Sequence, residues 1–424
     1  MTRVSRRPFG QNYAFVVAGV TFASLLVSAG LRAAPGVLLV PLEQSFGWSR
    51  STTSLSAAIG IFLYGLVGPF AAALMQRFGI KRVLASALAV MALSVASSAF
   101  MREPWHLFLS WGVISGLASG CVAVVLGAAV VNRWFAKNRG LVMGLLTAST
   151  ATGTLIFLPG LAAIAQAGGW KPVVLTVAAC AAALVPIVLL LMPERPQDAG
   201  LVPYGADPAH PPAEVRRENP FMAAISGLLD ASRSRDFWLL FATFFVCGFT
   251  TNGLVGTHLI AFCADQGIAE VQAAGLLAMM GVFDLFGTTF SGWLTDRFDA
   301  RKLLFVYYGL RGLSLIWLPF TDFSVVSLSV FAAFYGLDWI ATVPPTLKLT
   351  NQAFGERAAP IVFGWIVAGH QLGGASAAFF AGLVRTMEGR YLEAFVAAGL
   401  TGVAAALLSL LIGRGSPRRA GAAA

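Results

Sequence analysis

Charge is what this sequence has least of. Only 11% of its 424 residues are Asp, Glu, Lys or Arg, where soluble domains carry about 25%. With a mean hydropathy of +0.77, a water-facing surface is excluded over most of the chain. Cysteine is equally sparse. The four present (Cys121, Cys180, Cys247, Cys263) lie in or beside apolar segments without CxxC or zinc-ligand spacing, which excludes a disulfide framework and a metal site. No GxSxG, HExxH or phosphate-cradling glycine loop occurs, so neither an enzyme nor a cofactor is expected. The net charge of +10 does not indicate nucleic acid, because its basic residues are scattered in short groups between apolar runs, where they act as topology signals.

What is present is apolar length. Runs of 20 or more residues recur along the chain, enough to cross about 30 Å of hydrocarbon at about 1.5 Å per residue. Twelve spans are expected, at about 13–42, 51–76, 82–101, 105–132, 140–167, 171–192, 236–264, 271–295, 302–320, 324–350, 358–385 and 392–413. Arg3, Arg6 and Arg7 precede a run without a small-residue cleavage pattern, read as an uncleaved first helix. Of the 29 lysines and arginines, 5 fall in odd-to-even turns (Arg50, Arg102, Lys171, Arg385, Arg390), 3 inside spans (Arg32, Arg311, Lys348) and 21 at the termini and opposite loops. That bias puts both termini in the cytoplasm.

Residues 194–235 break the pattern with Pro196, Pro203, Pro208, Pro211, Pro212, Pro220 and charges of both signs. They read as a cytoplasmic linker between six-span halves at 1–193 and 236–424. A shift of 220 places carries Arg77 onto Arg297, Gly116-Leu117 onto Gly336-Leu337 and Gly144 onto Gly364. Such duplication builds many carriers, with the site between the halves.

The loop after span 8, Gly292-Trp293-Leu294-Thr295-Asp296-Arg297-Phe298-Asp299-Ala300-Arg301-Lys302, resembles the G-x-L-x-D-R-x-G-R-K/R signature of the major facilitator superfamily. Leu74-Met75-Gln76-Arg77-Phe78-Gly79-Ile80-Lys81-Arg82 after span 2 resembles a degraded copy, with Gln76 where the family usually has Asp. The resemblance implies an all-α membrane protein with twelve transmembrane helices in two pseudo-symmetric six-helix bundles. Gly36-Val37, Glu43 and Phe46-Gly47-Trp48-Ser49-Arg50, with Trp134-Phe135-Ala136-Lys137-Asn138-Arg139-Gly140, are similar to the monocarboxylate and oxalate–formate branch. That branch places a basic residue late in span 1, near Arg32, and an Asp in span 8 followed four residues on by Arg. Asp284 matches the Asp, but Thr288 replaces the Arg, a departure from a simple lactate-like substrate. The span 5 stretch Gly144–Gly153 lacks the G-x-x-x-G-P-x-x-G-G pattern of drug–proton exporters.

Ionised groups at bilayer depth are costly and need a partner or a wet pathway. Ser24, Ser28 and Arg32 repeat every four residues on one face of span 1. Arg32 either grips an anion through paired hydrogen bonds or snorkels to the outer interface. Asp284, Arg311 and Asp338 fall at one mid-membrane depth, with Arg311 and Asp338 read as a buried ion pair and Asp284 as a proton-coupling carboxylate. His258 is a second proton-relay candidate, against an interhelix hydrogen bond. Tyr64, Thr147, Asn252, His370 and Gln371 are candidate substrate contacts with Arg32, packing being the alternative. Lys348 snorkels. Spans 6 and 12, nearly featureless, belong against lipid. Arg77, Lys81, Arg82, Asp296 and Arg297 are gating-loop candidates that latch helix ends.

The expected activity is secondary transport of a small organic anion by alternating access, as proton-coupled uptake. The rivals are an exporter of drugs or amphiphilic metabolites and a membrane sensor on a carrier fold. The expected setting is a bacterial inner membrane, with the protein a monomer whose partners are substrate, protons and lipid.

Overall fold

The computed structural model describes residues 10–206 and 220–413. Among them, twelve helices are long and apolar enough to cross a bilayer. They are Tyr13–Phe46, Arg50–Gly68, Ile80–Phe100, Pro104–Trp134, Arg139–Gly168, Trp170–Leu191, Arg235–Asp265, Glu270–Arg297, Ala300–Phe320, Val325–Gly355, Ala358–Glu388 and Leu392–Ser409, called spans 1 to 12 below. Arg3, Arg6, Arg7, Pro208, Pro211 and Pro212 lie outside the described residues.

Local chemistry sets the span ends. Span 1 runs through Pro35 and Pro41 to Phe46, four residues past its expected end, and stops at Gly47, whose left-handed conformation lets its N–H reach the Glu43 carbonyl. Ser49 then caps span 2, accepting from the Thr52 N–H. The span 2 helix continues to Phe78, and Gly79, at φ 93°, turns the chain into span 3.

Two six-helix bundles meet along three seams. Span 2 lies along span 11, span 5 along span 8, and span 1 meets span 7. Small residues allow the closest approaches, as expected where lipid offers no hydrophobic drive. A methyl on Gly312 would collide with the Gly399 carbonyl, so the backbones of spans 9 and 12 touch. Spans 6 and 12 turn large side chains outward, among them Leu175, Leu190, Leu400 and Leu407.

The linker holds more structure than its composition suggests. Pro196–Ala199 forms a 3-10 turn. Tyr204 exchanges backbone hydrogen bonds with Trp134 and Ala136. Pro220–Ala231 is a twelve-residue helix, here called the linker helix. Below, the face bearing these elements is the linker face, and the opposite one the far face.

Candidate functional site

Span 1 presents its polar stripe inward. Ser24 and Ser28 are fully buried and Arg32 is half-buried. The Ser24 hydroxyl is used by its own helix, donating to the Val20 carbonyl at 2.8 Å. The Ser28 Oγ and the Arg32 Nε, in contrast, are buried without a partner among the described residues. The Arg32 guanidinium carbon lies 4.5 Å from the centroid of the Tyr64 ring on span 2. This cation–π contact orients the charge without neutralising it.

The 220-place shift carries Arg32 onto Asn252 and Tyr64 onto Asp284, so corresponding positions of the two bundles bear the polar groups. Asn252 sits in a π-helical turn, Phe249–Val255, that interrupts span 7; such turns are frequent at functional sites. Gln371 is buried where span 11 crosses Gly65 of span 2. His370 is half-buried, its ring 4.9 Å from that of Phe244. Thr147 is exposed, and its hydroxyl donates to the Met143 carbonyl of its own helix.

The charges of spans 8, 9 and 10 meet at an interruption of span 10. The α-helix stops at Asp338 and resumes at Val343. Backbone groups freed inside a bilayer must find partners. Arg311, fully buried, donates through Nη2 to the carbonyls of Asp338 and of Trp339, the latter at 3.2 Å. Its Nε donates to Asp338 Oδ2 at 2.6 Å, and its Nη1 reaches the Cys247 sulfur at 3.0 Å. Asp284 Oδ1 accepts from the Ile340 N–H and from the Thr288 hydroxyl, each at 2.9 Å. Thr288, placed where an Arg was expected, thus serves the carboxylate directly. Lys348 donates to the Thr295 carbonyl rather than reaching only into solvent.

A second polar assembly closes the far face. Arg50, 6% exposed, is held by both carboxylate oxygens of Glu43 and donates to the Tyr391 hydroxyl at 2.6 Å. Its Nη2 stands 3.9 Å from Asp265, which Arg385 holds at 2.6 Å. Beneath it, His258 is fully buried, with Nε2 2.7 Å from the Ala378 carbonyl and Nδ1 2.9 Å from the Tyr391 hydroxyl. A carbonyl only accepts, so Nε2 carries the proton and Nδ1 accepts from the tyrosine. Burial pushes the Tyr391 hydroxyl above its ordinary pKa, so it stays protonated. Glu43 and Arg50 come from the first bundle, and the remaining groups come from the second.

On the linker face, Glu194 organises the loop after span 2. Its carboxylate accepts from the Ile80 N–H at 2.7 Å, the Lys81 N–H at 2.9 Å and Arg133 at 2.5 Å. In the loop after span 8, Asp299 accepts from the Arg301 N–H at 2.9 Å and from its side chain at 2.7 Å. Those bonds hold the Asp299 carboxyl below the usual carboxylate range. Arg77, Arg82, Asp296 and Arg297 are exposed and Lys81 is half-buried. Arg77 lies over the Phe78 ring and Arg297 over the Trp293 ring. Sequence reasoning did not single out Glu194, Arg133, Asp265 or Tyr391, whose partners are distant in the chain. A lone acidic residue just past a span was the one available signal, for Glu194 and for Asp265.

The comparisons agree with this architecture. The family model described as Major Facilitator Superfamily matches residues 20–378. An uncharacterized MFS-type transporter, YcxA, of Bacillus subtilis (strain 168) is 25% identical over 84% of each chain. Monocarboxylate transporter 13 of Bos taurus is 26% identical over 91% of this chain and 85% of the relative. Among solved structures, a bacterial homolog of the human lysosomal transporter Spinster, inward-facing and occupied, superposes with a TM-score of 0.73 at 14% identity, covering 96% of this chain and 97% of that one. The D-xylose-proton symporter gives 0.71 at 15%, covering 96% and 98%. The chain belongs to the major facilitator superfamily and is a transporter related to the monocarboxylate transporters.

Proposed function

We propose that this protein is a secondary carrier that takes up a small, monocarboxylate-like organic anion together with protons by alternating access. The observation that carries the reading is Arg32, a guanidinium deep in span 1, held over Tyr64 with its Nε without a partner among the described residues. A carboxylate is the partner that matches this planar donor. Asn252, at the corresponding position of the second bundle, is the proposed neutral contact, with Thr147, His370 and Gln371 as further candidates.

In this reading Asp284 carries the coupled proton. Among the described residues, only one of its oxygens accepts hydrogen bonds, from Ile340 and Thr288, which leaves the second oxygen open to a proton. His258 is proposed to act in the far-face closure, since both of its ring nitrogens are engaged. Arg311 and Asp338 hold the interrupted span 10 together. The carrier would turn outward by releasing Arg50 from Tyr391 and Asp265, while Arg77, Lys81, Arg82, Asp296 and Arg297 rearrange on the linker face. The lysine and arginine bias supports the linker face as cytoplasmic, with a bacterial inner membrane as the setting.

The test is uptake by proteoliposomes of a panel of labelled organic anions under an imposed pH difference, with Arg32→Ala and Asp284→Asn beside the unsubstituted protein. Carboxylate uptake that follows the inward proton gradient supports the proposal. Indifference to both carboxylates and the gradient contradicts it.

A further inference from the structure

The linker helix, Pro220–Ala231, carries three distinct stripes. Phe221, Ala224, Leu228 and Ala231 face the protein. Phe221 stacks on Phe70 of the span 2 helix with ring centroids 5.5 Å apart, and Trp365 of span 11 donates its indole N–H to the Ala224 carbonyl at 2.8 Å. The helix therefore touches both bundles at the seam between them. Ser226 and Asp230 form an exposed polar stripe. Met222, Ile225 and Leu229 form an exposed apolar one, at 62%, 42% and 58% exposure. At about 100° per residue, the apolar stripe lies between the packed stripe and the polar one.

Depth says what covers that apolar stripe. Phe70 lies before the linker-face end of its helix at Phe78, and Trp365 beyond the start of span 11 at Ala358. Counted at about 1.5 Å per residue, both contacts are roughly 10–12 Å from the helix ends. The span 2 helix has 29 residues, roughly 43 Å at that rise, which exceeds about 30 Å of hydrocarbon by several ångströms on each side. The helix thus sits at the boundary of headgroups and acyl chains, the level at which amphipathic interfacial helices bury their apolar face. At the helix C-terminal end, Trp238, itself half exposed, donates its indole N–H to the Ser232 carbonyl at 2.7 Å, and indoles favour that same level.

We propose that the linker helix is an interfacial helix whose Met222–Ile225–Leu229 stripe is covered by acyl chains of the linker-face leaflet. Its adjacent, packed stripe clasps spans 2 and 11. The seam that must open for the bundles to rock is thereby tied to the lipid surface, whatever the carrier transports.

The test uses the full-length protein in nanodiscs, with Cys121 and Cys180 replaced by alanine. A bimane probe is placed in turn at Met222→Cys, Ile225→Cys, Leu229→Cys, Ser226→Cys and Asp230→Cys. The first three should be quenched severalfold more by lipids brominated on the acyl chain than by aqueous iodide, and the last two the reverse. Photoreactive acyl chains should also crosslink to the linker helix of the unsubstituted protein, an arm that needs no variant to fold. Iodide quenching equal at all five positions would overturn the proposal in favour of a helix facing water. Protection of the three apolar positions from both quenchers would overturn it in favour of a second protein copy covering the stripe.

Discussion

Arg32 and Asp284 differ from the other buried charges in what their surroundings leave open. Arg311 spends its donors on Asp338, two backbone carbonyls and Cys247, whereas Arg32 Nε has no partner among the described residues. A charge-assisted hydrogen bond is worth about 1.5–3 kcal/mol, so Arg32→Ala should weaken substrate affinity by roughly ten- to hundred-fold. Arg32→Lys should recover only part, because an ammonium lacks the planar fork. Titration of uptake against substrate concentration reads both. Asp284→Asn keeps an oxygen to accept from Ile340 but cannot bind and release a proton. A falling external pH loads more of the neutral carboxyl, so uptake by the unsubstituted carrier should rise as the outer side is acidified. The Asn variant should lose that dependence while still exchanging labelled for unlabelled substrate. For Arg311, the expected loss is one of stability. Arg311→Met strands Asp338 in the interior, at a cost of about 3–5 kcal/mol, seen as a lower melting temperature in detergent. Adding Asp338→Asn should restore only part of it, since the carbonyls of Asp338 and Trp339 still lack their donor.

Interrupted helices explain why the polar groups stand where they do. Span 10 stops at Asp338, and the groups its interruption frees are met from spans 8 and 9. In the first bundle, span 4 breaks at Val122 and Ala123, which the 220-place shift carries onto Thr342 and Val343. Close crossings hold these elements in register. A side chain on Gly287 would collide with the Leu337 carbonyl, whereas Gly292 on the same span faces open space. Gly287→Val should therefore abolish folded yield, and Gly292→Ala should be tolerated or gain up to about 1 kcal/mol from helix propensity; size-exclusion profiles and melting temperatures separate the two. Hydropathy made the twelve spans legible, and counting residues from span ends placed Asp284, Arg311 and Asp338 at one depth. The interruption was only partly legible. Pro344-Pro345 mark the first turn of the resumed helix, since they cannot donate back to Ile340 and Ala341, but the conformation of Trp339-Ile340-Ala341-Thr342 depends on side chains of two other spans. The linker helix was hidden for a different reason. Proline and charge dominate residues 194–235, and a twelve-residue amphipathic segment does not raise their average.

At the scale of the whole molecule, the far-face assembly joins groups separated by more than 300 residues. Arg50 and Tyr391 are 341 apart, and no pattern in a single sequence links them. Small-residue contacts support the same closure: a methyl on Gly36 would press against the carbonyls of Gly256 and Thr257, and one on Gly382 against Ser54. Loosening this end should shift the carrier towards the opposite state. With Ser54→Cys as reporter, Arg50→Ala or Tyr391→Phe should speed labelling by a membrane-impermeant thiol reagent added from the far face, and an unchanged rate would show that these bonds do not hold the bundles together. In the proposed reading, one guanidinium and one carboxylate, on corresponding helix pairs of two matched bundles, bind an organic anion and couple it to protons. The most direct measurement is the initial rate of labelled carboxylate uptake into proteoliposomes, with and without an inward proton gradient. The expected result is gradient-driven accumulation that Arg32→Ala removes and that Asp284→Asn reduces to exchange. Accumulation by both variants equal to that of the unsubstituted protein would contradict it.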